Sequence, residues 1–320
     1  MGQTPDTSSA APPKMPPLWV IKTRAPFFTA TLVPVLLGTA VAWARSGEFN
    51  LWVFLLTLVG AICLHAGTNM TNDYFDHQWG SDEINVEFAN PFTGGSRLIQ
   101  MGLVKPQEML WQGIGFFIAG GLIGLLLAFL RTPHVLWLGI IGALCGFFYT
   151  APPIRLARTG LGELAVGLCF GPLMALGAAV VQTRTLDWEP VIASLPVMLL
   201  IALILWINEF QDMRADAAVG KNHLVVRMGR QRAATAYGVL LALVYFSILI
   251  SAFAGAVTPF ALAGLLTTPL ALQAYRVARV HYDHPRELTP ANAATTQIHL
   301  WTGLFVVLGY VVQGAVRLLG

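Results

Sequence analysis

Long apolar runs separated by polar stretches occupy nearly the whole chain. Nine runs are apparent, at roughly 28–44, 51–71, 108–130, 135–150, 161–182, 190–209, 233–254, 257–275 and 297–317. Most approach the ~20 residues that a helix needs to cross a hydrocarbon core. They are continuous rather than alternating in twos, which predicts helices and excludes barrel strands. The run at 135–150 is short and predicts a tilted span or one extended by its flanks. Pro34, Pro172, Pro196 and Pro269 fall inside runs, as membrane helices tolerate. The spacings Gly113-x-Gly115 and Gly120-Gly121-x-x-Gly124 predict close helix packing. The pattern as a whole predicts an all-α, polytopic membrane protein with nine transmembrane helices. Residues 19–320 read as one transmembrane domain, with no room for a second, soluble one. Residues 1–18, rich in Pro, Ser, Thr and Ala, predict a disordered cytoplasmic tail.

Composition agrees with the pattern. Of the 320 residues, 56% are hydrophobic and 11% charged, whereas a soluble domain carries about 25% charged residues. The net charge of +3 gives no reason to expect a nucleic-acid partner; the expected surroundings are the lipid bilayer. Cys63, Cys145 and Cys169 each lie inside an apolar run without metal-ligand spacing, which predicts packing roles.

The placement of charge is more informative than its sum. With the N-terminus in the cytoplasm, 15 of the 19 Lys and Arg fall on the cytoplasmic side, and only Arg45, Arg131, Arg184 and Arg317 fall opposite. Such asymmetry orients a membrane protein. The expected location is the inner membrane, multi-pass, with the long loops at about 72–107, 210–232 and 276–296 in the cytoplasm.

Two acidic clusters follow directly on apolar runs, and both fall on that face. The first reads Asn69-Met70-Thr71-Asn72-Asp73-Tyr74-Phe75-Asp76, and the second runs from Asn208-Glu209 through Asp212 to Asp216 and Gly220-Lys221. Carboxylates at the end of a membrane helix mark function. Positions i and i+4 share a helix face. Asn72 and Asp76 are such a pair, with Asn69 and Asp73 beside them, and Asn208, Asp212 and Asp216 form a second row. Two facing rows of oxygen ligands make a hard-cation site suited to Mg²⁺, which binds through a few carboxylates and substrate phosphates. Basic residues lie near: Arg97 after Gly94-Gly95-Ser96, then Arg214, Lys221 and Arg227. Acid, metal and base together describe a diphosphate clamp, with Arg97 and Lys221 on the outer oxygens. Tyr74, Phe75, Phe147, Phe148 and Tyr149 could present π faces to a carbocation. His65, one turn before Asn69, reads as a packed or hydrogen-bonded histidine rather than a site base, and Glu163 and Gln182 have no evident partner.

These motifs resemble the UbiA superfamily of intramembrane aromatic prenyltransferases. Its NDxxDxxxD pattern resembles Asn72-Asp73-Tyr74-Phe75-Asp76, and its DxxxD pattern matches Asp212 and Asp216. Tyr149-Thr150-Ala151-Pro152-Pro153 looks like its Y-(S/T)-x-P-P stretch, and Arg24 to Gly38 is similar to the first-helix opening of menaquinone-type members. The chain departs from the first pattern at Gly80, where many members carry a third aspartate; Asp82 follows two residues later. That ending looks like the branch that prenylates 1,4-dihydroxy-2-naphthoate.

The resemblance implies helices around a central cavity, a polyprenyl diphosphate donor and an aromatic acceptor acid. The expected metal ligands are Asn72, Asp73, Asp76, Asp212 and Asp216, with Asp82 replacing the missing third aspartate if the helix ends near Gly80 and the chain turns there. Asn72, Asp76, Asp212 and Asp216 would carry catalysis, and Arg97, Tyr149, Lys221 and Asn208 would bind substrate. A 4-hydroxybenzoate-type acceptor is the alternative. A secondary transporter using the carboxylates as an ion pathway is the alternative from another class, against which the one-sided clusters and the absence of an evident repeat count.

Overall fold

The computed structural model describes residues 16–89 and 92–319. The expected tail at 1–18 thus lies almost wholly outside the described residues, and Leu18 already opens a short helix, Leu18–Lys22. The described residues are helical and contain no strand. The main helices are α1 Thr29–Ser46, α2 Leu51–Trp79, α3 Pro106–Leu130, α4 His134–Phe147, α5 Gly162–Thr183, α6 Leu195–Ala218, α7 Arg230–Phe253, α8 Thr268–His281 and α9 Thr289–Leu319.

Seven of these are long and apolar enough to cross a membrane: α1, α2, α3, α5, α6, α7 and α9. The expected count of nine is not reached by that measure. Helix α4 has 14 residues and rises about 21 Å at 1.5 Å per residue, short of a core about 30 Å thick. The run expected at 257–275 divides into a 3₁₀ segment, Pro259–Thr267, and α8, whose apolar character ends with Arg276 and Arg279. Large apolar side chains nevertheless face outward around the molecule, among them Trp52, Phe129 and Phe253 at 74%, 88% and 81% exposure. An apolar surface of this extent requires lipid. The chain is a multi-pass membrane protein.

Two helices carry the acidic clusters, and local chemistry fixes where each ends. Helix α2 begins at Asn50, whose side chain accepts the N–H of Val53 at 3.1 Å, a standard N-cap. It ends at Gly80, with φ +76°, a left-handed stop that a side chain would oppose. The chain then turns into Ser81–Ile84. Helix α6 has Pro196 in its first turn, where a missing N–H costs nothing.

Helices α2 and α3 touch backbone to backbone: a Cβ at Gly67 would lie 2.9 Å from the Gly113 carbonyl oxygen, and one at Gly120 would lie 3.0 Å from that of Gly60. Gly113 and Gly120 therefore pack as expected. Gly121 and Gly124 do not; they face open space and line a cavity. The rest of the core joins α6 to α7–α9 through Leu203, Phe210, Tyr237, Ala274 and Ile298. A second cluster joins α1, α6 and α9 through Val33, Leu37, Ile201, Val306 and Tyr310.

Candidate active site

A cavity of about 460 Å³ runs between α1–α6 and collects both acidic clusters at one end. The two rows meet on a single ammonium. Lys221 Nζ lies 2.7 Å from Asp76 Oδ1 on the first row and 3.2 Å from Asp216 Oδ1 on the second. Within the first row, Asn72 Nδ2 donates to Asp76 Oδ2 at 3.0 Å, the expected i, i+4 contact. Arg24 pairs with Asp73 and donates to Asn72 Oδ1 at 3.1 Å. On the second row, Asp212 Oδ1 accepts from Asn85 Nδ2 at 2.6 Å.

The turn at Gly80 swings Asp82 back to the cavity, where it is 7% exposed. The Gly95 backbone lies against it: a Cβ there would be 2.8 Å from Asp82 Oδ2 and 3.0 Å from Asp73 Oδ1. Gly95 has φ +72°, so glycine supplies both the conformation and the close approach.

Charge shapes this end of the cavity. Burial, then the negative charges of Asp76 and Asp73, push the Asp82 carboxyl up to about 9. Burial alone would lower the Lys221 ammonium, but Asp216 and Asp76 override it and hold it above its ordinary value. Arg24 likewise stays above its ordinary value against burial, chiefly through Asp73. Burial, then the charge on Glu209, holds the Tyr149 hydroxyl well above its usual range.

Asn72, Asp76, Asp82, Asp212, Asp216, Asn208, Tyr149 and Lys221 all line the cavity. Asp73 sits directly behind, accepting long N–H contacts from Ser96 at 3.3 and 3.4 Å. Arg97 does not line it. With φ +61° it turns away, stacks over Phe88 at 4.4 Å and donates to the Asp82 backbone carbonyl. It shapes the loop rather than facing the cavity as a clamp residue would. Arg214 pairs with Glu87 at 2.7 Å, and Arg227 donates to the Thr159 and Asn222 carbonyls at 2.6 Å.

The expected aromatic group also divides. Tyr74, Phe75, Phe147 and Phe148 pack edge-on against one another and are not among the cavity-lining residues; Tyr149, Phe27, Phe92 and Phe170 are. Arg24, Asn85, Glu209 and His223 are not among the site residues expected from sequence, although Glu209 belongs to the second cluster, and all four line the cavity. One signal existed for Arg24: buried aspartates need a cation, and it stands just before the first run.

The model of the UbiA prenyltransferase family matches residues 31–301. The chain belongs to that family. Among UbiA relatives, 1,4-dihydroxy-2-naphthoate octaprenyltransferase of Mycobacterium tuberculosis is 33% identical over 80% of this chain and 84% of its own length. The 2-carboxy-1,4-naphthoquinone phytyltransferase of Synechocystis is 27% identical over 95% of this chain and 97% of its own. A UbiA homologue from Archaeoglobus fulgidus, solved bound to GPP and Mg²⁺, superposes with a TM-score of 0.65 at 15% identity. The match covers 92% of this chain and 98% of that one. At that identity the likeness establishes the shared UbiA fold.

The residues present fit a hard divalent cation. Five carboxylates line the cavity, those of Asp76, Asp82, Asp212, Asp216 and Glu209, against the fixed cations Arg24 and Lys221. That excess of negative charge must be offset by cations or protons. The donors on the two rows are oxygen alone, which suits Mg²⁺ rather than a softer ion.

Proposed function

We propose that this UbiA-family chain transfers a polyprenyl group, with Mg²⁺, from its diphosphate to an aromatic acceptor acid in quinone biosynthesis. The acceptor in this reading is 1,4-dihydroxy-2-naphthoate. The carrying observation is Lys221 bridging Asp76 and Asp216 at the polar end of an apolar cavity. The names of the relatives support the acceptor, as does the Gly80-x-Asp82 ending of the first cluster.

Asn72, Asp76, Asp82, Asp212 and Asp216 would hold the metal, with Asp73 behind them on Arg24. Bound Mg²⁺ supplies charge neutralisation to the diphosphate and makes it a better leaving group. Lys221 and Arg24, the two fixed cations lining that end of the cavity, would hold the outer diphosphate oxygens. As the C–O bond breaks, charge gathers on those oxygens, so cations fixed there favour the transition state over the ground state. The ring faces of Phe27, Phe92, Phe170 and Tyr149 suit the allylic cation. Apolar walls exclude water that would quench it. The seam between α3 and α4 carries Gly121 and Ile140, both exposed and both lining the cavity, and it is the side on which a long isoprenoid tail would pass into lipid. If the short helix α4 and the 257–275 run also cross, 15 of the 19 basic residues fall on one side, which supports a cytoplasmic mouth and an inner-membrane location.

Purified protein given Mg²⁺, labelled polyprenyl diphosphate and dihydroxynaphthoate should form a lipid-soluble prenylated product, and EDTA should abolish it. Product from 4-hydroxybenzoate instead would reassign the acceptor. No product with any aromatic acid, but substrate uptake into proteoliposomes, would overturn the transferase reading.

A further inference from the structure

One cluster in the cavity wall is given no ligand or substrate role in that chemistry. Glu163 at the start of α5, Glu209 on α6, and His223 bring ligand atoms within 4.8 Å of one another. The three are 3%, 6% and 3% exposed. Glu163 Oε1 accepts the N–H of Leu224 at 2.7 Å, but its Oε2, like Glu209 Oε2, is buried without a hydrogen-bond partner. Lys221 makes its direct ion pairs with Asp76 and Asp216 instead. Among the described residues, His223 is the one basic side chain within 4 Å of Glu209. Two such carboxylates buried side by side call for a cation.

The histidine is oriented to complete the set. Its Nδ1 lies 3.4 Å from Glu209 Oε2, and its Nε2 lies 3.4 Å from Asp216 Oδ2. A ligating histidine commonly gives its second ring N–H to a carboxylate, which fixes the tautomer. Here Nδ1 would be the ligand and Nε2–H would point to Asp216. The long N–H contact from Val226 to Nδ1, at 3.3 Å, would give way. Two carboxylates and an imidazole favour a borderline ion over Mg²⁺, because nitrogen ligands suit Zn²⁺ and its neighbours.

We propose that Glu163, Glu209 and His223 form a divalent-cation site separate from the aspartate rows, taking a borderline ion such as Zn²⁺, for which Mn²⁺ serves below as the paramagnetic probe. Glu209 and His223 both line the cavity, so the ion's remaining coordination positions open onto it. Through His223 the site also touches Asp216 and thereby the second row.

The test uses full-length protein in detergent, stripped with EDTA, then given Mn²⁺ in the presence of excess Mg²⁺. Pulsed EPR should show nitrogen modulation from an imidazole bound directly to Mn²⁺. His223→Gln should lose both that modulation and one equivalent of bound Mn²⁺. Glu163→Gln should weaken Mn²⁺ binding at this site at least tenfold, with the modulation retained at saturation. Absence of modulation in the wild type overturns the proposal, and so does its persistence in His223→Gln. Should His223→Gln fail to elute as a folded species, the wild-type spectrum and the Glu163→Gln titration decide. Unchanged Mn²⁺ affinity in Glu163→Gln then overturns the site.

Discussion

Removing the Lys221 charge isolates the electrostatics that join the two rows. Lys221→Met keeps most of the aliphatic stem and deletes the ammonium. Nζ stands 2.7 and 3.2 Å from two carboxylates, and the side chain is 9% exposed. At an effective dielectric of about 20, each pair near 3 Å is worth roughly 5 kcal/mol before desolvation is counted. Desolvation offsets much of this, and breaking a buried pair typically costs about 3–5 kcal/mol, because the partner charge is left alone. In EDTA the variant should therefore melt roughly 6–15 °C below wild type. Mg²⁺ should return much of that loss, since the metal would bind carboxylates that no longer compete for the lysine. The Mg²⁺-induced rise in melting temperature should thus be larger in the variant than in wild type. Prenyl transfer should stay low even in saturating Mg²⁺, with the apparent KM for prenyl diphosphate raised. Thermal unfolding followed by tryptophan fluorescence, with EDTA and with Mg²⁺, reads the first two quantities. An EDTA melting point within a degree or two of wild type, or an equal Mg²⁺ shift, would refute the bridging role.

The remaining expectations use the same preparation. Asp76→Ala and Asp212→Ala should each reduce turnover at least a hundredfold while the protein remains folded; near-wild-type activity in either would exclude the two-row metal clamp. Without metal, Asp82 stays protonated at neutral pH because its carboxyl is pushed up to about 9. Metal binding must displace that proton, so Mg²⁺ affinity should climb with pH toward that value. Calorimetry in buffers of different ionisation enthalpy should register proton release at pH 7, and Asp82→Asn should reduce the release and raise the Mg²⁺ needed for half-maximal activity. An unaltered Mg²⁺ titration would leave Asp82 with a packing role. Arg97→Ala should shift the Mg²⁺ requirement, through the Asp82 loop, more than the prenyl-diphosphate KM; the opposite split would return Arg97 to the diphosphate. Single cysteines at Val86 (75% exposed) and at exposed Asn222, in a background without the three native ones, should resist an impermeant thiol reagent in intact cells. Labelling from outside would invert the topology.

Helix identity was readable wherever burial in lipid dictates it. The runs that became α1, α2, α3, α5, α6, α7 and α9 are continuous because every residue on them meets apolar surroundings. The two runs that fall short of a full-length apolar helix differ in geometry rather than in composition. Residues 135–150 are apolar enough to span, yet the helix stops at Phe147, and Tyr149 is put to use in the cavity wall. Residues 257–275 start with Pro259 in a 3₁₀ segment. Hydropathy measures transfer from water and is blind to the backbone form that the transferred residues adopt. The same blindness affects the glycines. Gly120 and Gly121 are neighbours in a small-residue motif, but one is pressed against α2 and the other opens the cavity.

The site divides along a similar physical line. Contacts within one helix follow from period alone, so Asn72–Asp76 and Asp212–Asp216 were visible as rows, and the α2 stop at Gly80 followed from one residue's conformational freedom. Contacts between elements did not follow. Arg24 reaches Asp73 across 49 positions and Asn85 reaches Asp212 across 127, and nothing local marks either as a partner. Proximity in sequence even misdirected: Arg97 adjoins the glycine loop that holds Asp82, yet its side chain leaves the cavity while Arg24, far away in sequence, enters it. The reason is that a cluster of aspartates specifies only that compensating charge must arrive. Which cation arrives depends on the helix that packs nearby, and here the segment leading into α1 places Arg24 beside Asp73. The unpaired oxygens of Glu163 and Glu209 pose the same demand, with no Lys or Arg ion-paired to either among the described residues, and that demand is the physical reason to look for a metal ion there.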